Sequence, residues 1–114
     1  MDEKTFPREL HTLKPIALEV GQYGATWRRG DKWRGVPSGH RFMLTTGEDR
    51  TIFGEGRVFA SSYCTFRNIP DFIIGMNHTG NYDYERILKA MQVAYGPEFN
   101  EDEEVAIVIY ERWR

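Results

Sequence analysis

The sequence predicts an α+β domain: a small, mainly antiparallel, barrel-like sheet with two or three flanking helices. Three observations carry this reading. Eight of the 11 glycines lie between Gly21 and Gly56, so the first half is rich in turns and short strands. A stretch of helical periodicity follows over residues 82–95. The chain then reaches Val105–Tyr110, an uncharged run in which both alternating faces are apolar. Such a strand is covered on both sides or closes a barrel. Strands, then helices, then a last strand make α+β the expected class.

Taken in order, Leu10–Leu13 reads as a short strand. Pro15 suits the first turn of a helix, because it lacks the N–H that would be unsatisfied there. Ile16–Val20 is then expected to make one or two helical turns, ended by Gly21. Ala25–Arg28 reads as a strand and residues 30–39 as a loop carrying Trp33 and Pro37. Arg41–Thr46 alternates, with Phe42 and Leu44 on one face of a half-buried strand. Thr51–Tyr63 is β-rich, and Gly54 and Gly56 predict a turn or bulge between two strands, continued by Cys64–Arg67. Ile69–Met76 is a short apolar helix or turn. In Tyr82–Tyr95, the residues Tyr84, Ile87, Leu88, Met91, Ala94 and Tyr95 share one helical face. Asn81 is the expected cap, Asp83 and Glu85 suit the positive dipole end, and Gly96 with Pro97 stops the helix.

Composition narrows the classes. The chain has 114 residues, 40% hydrophobic and 28% charged, which fits one globular domain over 1–114. Its apolar runs are far too short for a membrane-spanning helix. The charged opening, MDEKTFPREL, has no apolar signal-peptide core, so a cytoplasmic location is expected. A lone Cys64 excludes an internal disulfide and a multi-cysteine zinc site. His11, His40 and His78 are scattered, so no metal and no other cofactor is expected.

The net charge of −2 hides an asymmetry. Arg28, Arg29, Lys32, Arg34 and Arg41 face one acid, Asp31, a local balance of +4. Glu98, Glu101, Asp102, Glu103 and Glu104 form an acidic run with no base. Arginine offers fixed planar donors for phosphate, and tryptophan offers a surface on which a base stacks. The segment Gly21–Trp33 interleaves the two. On a strand Trp27 points opposite to Thr26 and Arg28. Trp27 is then the core residue, and Trp33 in the loop is the stacking surface.

The pieces Thr12-Leu13-Lys14-Pro15 and Gly21-Gln22-Tyr23-Gly24-Ala25-Thr26-Trp27-Arg28 resemble the opening of the ASCH domain family, a branch of the PUA-like superfamily of small β-barrels. That family often begins with a Leu/Ile-Lys-Pro step, a short helix and a Gly-x-Lys-Thr-x-Thr-x-Arg pattern. Gly39-His40-Arg41-Phe42, Gly56-Arg57-Val58, Phe66-x-x-Ile69 and Glu104–Tyr110 extend the resemblance along the chain. It implies an RNA-binding or modified-nucleotide-binding module. Tyr23, Trp33, Tyr63 and Phe66 are the expected aromatic walls. Thr26, Arg28 and Asn68 are the expected polar groups, and Arg28, Arg29, Lys32, Arg34 and Arg41 the anion contacts.

The departures bear on catalysis. Relatives that hydrolyse N4-acetylcytidine use a Lys and a Thr of that pattern plus a later Glu. Here Tyr23 stands at the Lys and Gly24 at the adjacent Thr, and no Glu lies between Arg57 and Tyr84. A hydroxyl without a base is a poor nucleophile. A nucleoside-directed or RNA-directed hydrolase with Thr26 and Arg28 near the reaction centre is the alternative, with Lys14 or Lys32 as the amine to supply a base. A second alternative is a protein-interaction module using the acidic 98–104 segment. Cys64 is expected to be a buried, inert thiol and His78 a turn residue.

Overall fold

A computed structural model of the chain describes residues 5–13, 16–80 and 82–114. Five strands form one sheet: β1 (Glu9–Thr12), β2 (Tyr23–Arg29), β3 (Arg41–Thr46), β4 (Thr51–Thr65) and β5 (Glu104–Arg112). Their spatial order is β1-β3-β4-β5-β2, parallel between β1 and β3 and antiparallel elsewhere. The sheet curls into a half-barrel. A short 3-10 turn (Phe66–Asn68), α1 (Asp71–Ile74) and α2 (Tyr84–Tyr95) lie between β4 and β5 in the chain.

β5 organises the molecule. Val105 and Ile107 face a cluster with Trp27, Phe66, Ile73, Ile87, Met91 and Phe99, the layer between sheet and helices. Ala106, Val108 and Tyr110 face the opposite cluster, inside the curl, with Leu10, Trp33, Val36, Phe42 and Leu44. The two-faced central strand expected from the alternation is therefore present, between β4 and β2. Trp27 is 5% exposed and lies in the core, as its strand parity requires.

Several local expectations need correction. Ile16–Val20 is not helical. A single helical turn is too short to repay nucleation, and this segment bonds its backbone to other segments instead. The Ala17 N–H donates to the His78 carbonyl, the Leu18 carbonyl accepts from Arg112 Nη1 at 2.7 Å, and the Gly21 N–H donates to the Arg112 carbonyl at 2.7 Å. Lys14 and Pro15, which were to start that helix, lie outside the described residues, as does Asn81. The cap of α2 is Asp83, whose carboxylate accepts from the N–H groups of Glu85 and Arg86, so the helix begins at Tyr84 rather than Tyr82. Ala94 is exposed, off the buried stripe of Ile87 and Met91.

Thr51–Thr65 is one strand with no turn inside it. Register shifts at Leu44/Thr45 and Val58/Ala60 bend it, leaving Phe53 and Phe59 as the extra residues. The expected irregularity is thus a register shift at Phe53, beside Gly54, and not a turn, and the glycines also serve close approach. A Cβ at Gly56 would lie 2.5 Å from the Phe42 ring and 3.0 Å from Tyr110. The interior cluster is built against that bare backbone. Gly56→Ala should therefore lower the unfolding free energy by about 1–3 kcal/mol in urea denaturation, the usual cost of overpacking. Unchanged stability would mean that Phe42 does not seat on Gly56.

Candidate functional site

The residues expected to form one basic, aromatic site are distributed over three places. Thr26 and Arg28 share a face with Val108 and Ala106 opposite them on β5, so both side chains point inside the curl. Thr26 is 5% exposed. Arg28 Nη1 donates to the His11 carbonyl at 3.1 Å, tying β2 to β1, the two edges of the sheet. Its Nε and Thr12 Oγ1 are buried without a hydrogen-bond partner. Burial lowers the Arg28 pKa, yet a guanidinium stays charged at any ordinary pH. Arg28 is thus a half-buried seam cation, not a surface phosphate contact.

Arg29 lies on the surface but is engaged. Its Nε is 2.6 Å from Glu103 Oε2, its Nη2 donates to Glu103 Oε1 at 3.1 Å, and Glu98 lies 3.9 Å away. The acidic run thus pairs with the basic segment, and it pairs with Arg67 through Glu101 and Asp102. Lys32 and Arg34 are exposed on the 30–39 loop, Arg34 lying over the half-buried Tyr63 ring at 4.1 Å. Arg41 is elsewhere, opposite Arg57, and both guanidinium groups sit over Trp113, at 5.3 and 4.1 Å.

Trp33 corrects the loop reading. It is 6% exposed and packs against Phe42 at 5.3 Å between ring centroids. The five strands leave the curl open, and the loop folds Trp33 and Val36 into it. No face of Trp33 is left for a base. Phe66 is fully buried against Tyr84 and Phe99 and is no cleft wall either, while Asn68 is exposed at the end of the 3-10 turn.

Tyr23, an expected wall residue, is exposed beside a cleft. It is 48% exposed at the start of β2, six residues from Arg29. At about 3.3 Å per strand residue the two are roughly 20 Å apart. Tyr23 lines a cleft of about 350 Å³ with Ala17, Leu18, Gln22, Asn77 and Tyr82 among its other walls. Tyr82 is 61% exposed. The carboxamides are held at their oxygens: Gln22 Oε1 accepts from the Glu19 N–H at 2.9 Å, and Asn77 Oδ1 from the Thr79 N–H at 3.4 Å. The floor is fixed by Ala25, whose N–H donates to the Met76 carbonyl and whose carbonyl accepts from His78. Sequence reasoning missed Tyr82 and Asn77, because periodicity absorbed Tyr82 into the helix and Asn77 has the residue type of a turn. An aromatic just ahead of the helix cap was the available signal.

A Cβ at Gly24 would lie 2.7 Å from Leu18 Cδ1, so a side chain there requires the Leu18 tip to move. Neither Thr26 nor Arg28 lines the Tyr23 cleft. Cys64 is half-buried, and burial raises its pKa, which keeps the thiol protonated and inert.

His78 is a turn residue, as expected, and a buried one. It is 4% exposed, with Nδ1 2.7 Å from the Tyr110 hydroxyl. Burial, assisted by the Arg28 charge, lowers its pKa from 6.5 to about 3. The ring is neutral, and the same burial raises the Tyr110 pKa. Between pH 6.5 and about 3 the unfolded chain binds a proton at His78 that the folded chain does not. This group's contribution is therefore complete above pH 6.5 and is lost on acidification, by about 1.4 kcal/mol per pH unit. Denaturation of the protein and of His78→Gln at pH 7 and pH 5 should show a smaller acid loss in the variant. Parallel losses would contradict the buried neutral ring.

No family model matches the sequence, and no curated protein matches it. Solved structures do. An ASCH domain from Lactobacillus crispatus JV V101 superposes with a TM-score of 0.64 at 13% identity, over 82% of this chain and 65% of that one. A DUF984 protein from Enterococcus faecalis V583 gives 0.57 at 14% identity, over 78% of this chain and 60% of the other. The chain thus spans about two thirds or less of the length of these structures. It has an ASCH-like fold, as the resemblance implied.

Proposed function

We propose that this domain is a recognition module that binds RNA or a modified nucleotide, with the base held in the Tyr23–Tyr82 cleft. The observation that carries the reading is the pair of exposed tyrosines on the walls of one cleft, beside carboxamides pinned by backbone N–H groups. Aromatic rings accept any base by stacking, and a Gln or Asn amide reads a base edge. The ASCH-like fold supports the same class. Arg57 is the cation nearest Tyr23 in sheet register, through Glu111.

A hydrolytic reading centred on Thr26 and Arg28 has less support. The hydroxyl is buried, the guanidinium serves the seam, and Tyr23 is no substitute for an amine base. A protein-docking role for the acidic segment is weakened by its pairing with Arg29 and Arg67.

Fluorescence anisotropy with a labelled single-stranded RNA of mixed sequence tests the reading. At low salt the RNA binds, affinity falls as salt rises, and Tyr23→Ala or Tyr82→Ala weakens it about 5- to 150-fold, the worth of one stacked base. Absence of binding at low salt by the RNA and by a panel of modified nucleosides would overturn it, as would full affinity in both variants.

A further inference from the structure

Tyr23 is a wall of two clefts. The other, of about 250 Å³, is lined by Ser38, Gly39, Arg57, Val58, Phe59 and Glu111 as well as Tyr23. Phe59 is the extra residue at the β4 register shift, and this places it 60% exposed on the surface. Its ring meets Tyr23 at 5.4 Å with an interplanar angle of 85°. The two rings therefore meet edge to face at the boundary between the clefts. Arg57 donates to Glu111 at 3.0 Å and lies over Trp113 at 4.1 Å. A donor and an acceptor therefore stand side by side at this cleft, beside an exposed aromatic ring.

We infer that the ligand is at least two consecutive nucleotides of a single strand, with the Tyr23 ring as the partition between a base in each cleft. This rests on the nucleotide reading of the first cleft. A ring inserted at a base step separates neighbouring bases to about 7 Å, twice the 3.4 Å step, as wedge side chains do in bent duplexes. The first cleft supplies Tyr82 and Gln22 to one base. The other supplies Phe59 to the next, with Glu111 to accept from its edge and Arg57 to donate to the linking phosphate. A free nucleoside fills half of this arrangement, so the site favours a strand over a monomer.

Calorimetric titration of AMP, ApA and ApApA into the protein separates the two claims. ApA binds at least about 5-fold more tightly than AMP, the gain from one more stacked base. Phe59→Ala reduces that ratio toward one, and its thermal unfolding curve confirms that it folds. Equal affinity for AMP and ApA, or a ratio untouched by Phe59→Ala, overturns the two-base inference while leaving nucleotide binding intact. No binding of AMP, of ApA, of longer single strands or of the modified nucleosides removes the nucleotide reading itself.

Discussion

The burial of β5 on both faces is the constraint from which the rest follows. A strand with Val105 and Ile107 on one side and Ala106, Val108 and Tyr110 on the other needs apolar partners in two directions. The helices cover the first face. The sheet itself covers the opposite face by curling, so that Leu10 of β1 and Phe42 and Leu44 of β3 turn inward toward Tyr110. Curling brings the two edges, β1 and β2, within reach of the Arg28 side chain, which bonds from β2 to the His11 carbonyl. The free edge of β2 is then lined by residues 76–78, and these by Ala17. The Tyr23 cleft is the gap among these seam segments. Its place in the molecule is a consequence of closing the curl without a closed barrel.

The same constraint explains how the charges are used. A near-neutral total conceals a basic segment and an acidic run distant in sequence. The fold puts them together, so Glu103 holds Arg29 in a two-point pair and Arg28 faces inward. Exposed pairs of this kind add little stability, but they occupy the side chains that make them. In the proposed reading, recognition therefore belongs to the aromatic end of β2 and not to the positive loop. There Tyr23, Tyr82 and Phe59 are exposed, while most of the other rings are committed to one of the two cores.

Much of the frame was legible in the sequence because it rests on periodicity. Alternation gave β3 and β5, and a 3.6-residue stripe gave α2. Trp27 followed from strand parity. The failures have a common cause. The 16–20 segment takes its conformation from Arg112 and His78, far along the chain, and Trp33 from Phe42 on the next strand, partners that no local pattern reveals. The glycines of β4 resemble breaks because the sequence does not display the Phe42 ring that packs on Gly56. The candidate site was half legible: Tyr23 stands in the family-like motif, whereas Tyr82, Asn77 and Phe59 join it only through the seam and a register shift.

The central claim is that recognition resides at the Tyr23 end of β2 and not in the Arg28–Arg34 segment. Nuclear magnetic resonance tests it most directly, by following the backbone amide shifts of the labelled protein as a short single-stranded RNA is added. The account predicts that the largest changes fall on Gln22, Tyr23, Asn77, Tyr82 and Phe59, with residues 29–34 little moved. Changes concentrated on residues 29–34 and sparing Tyr23 would contradict it.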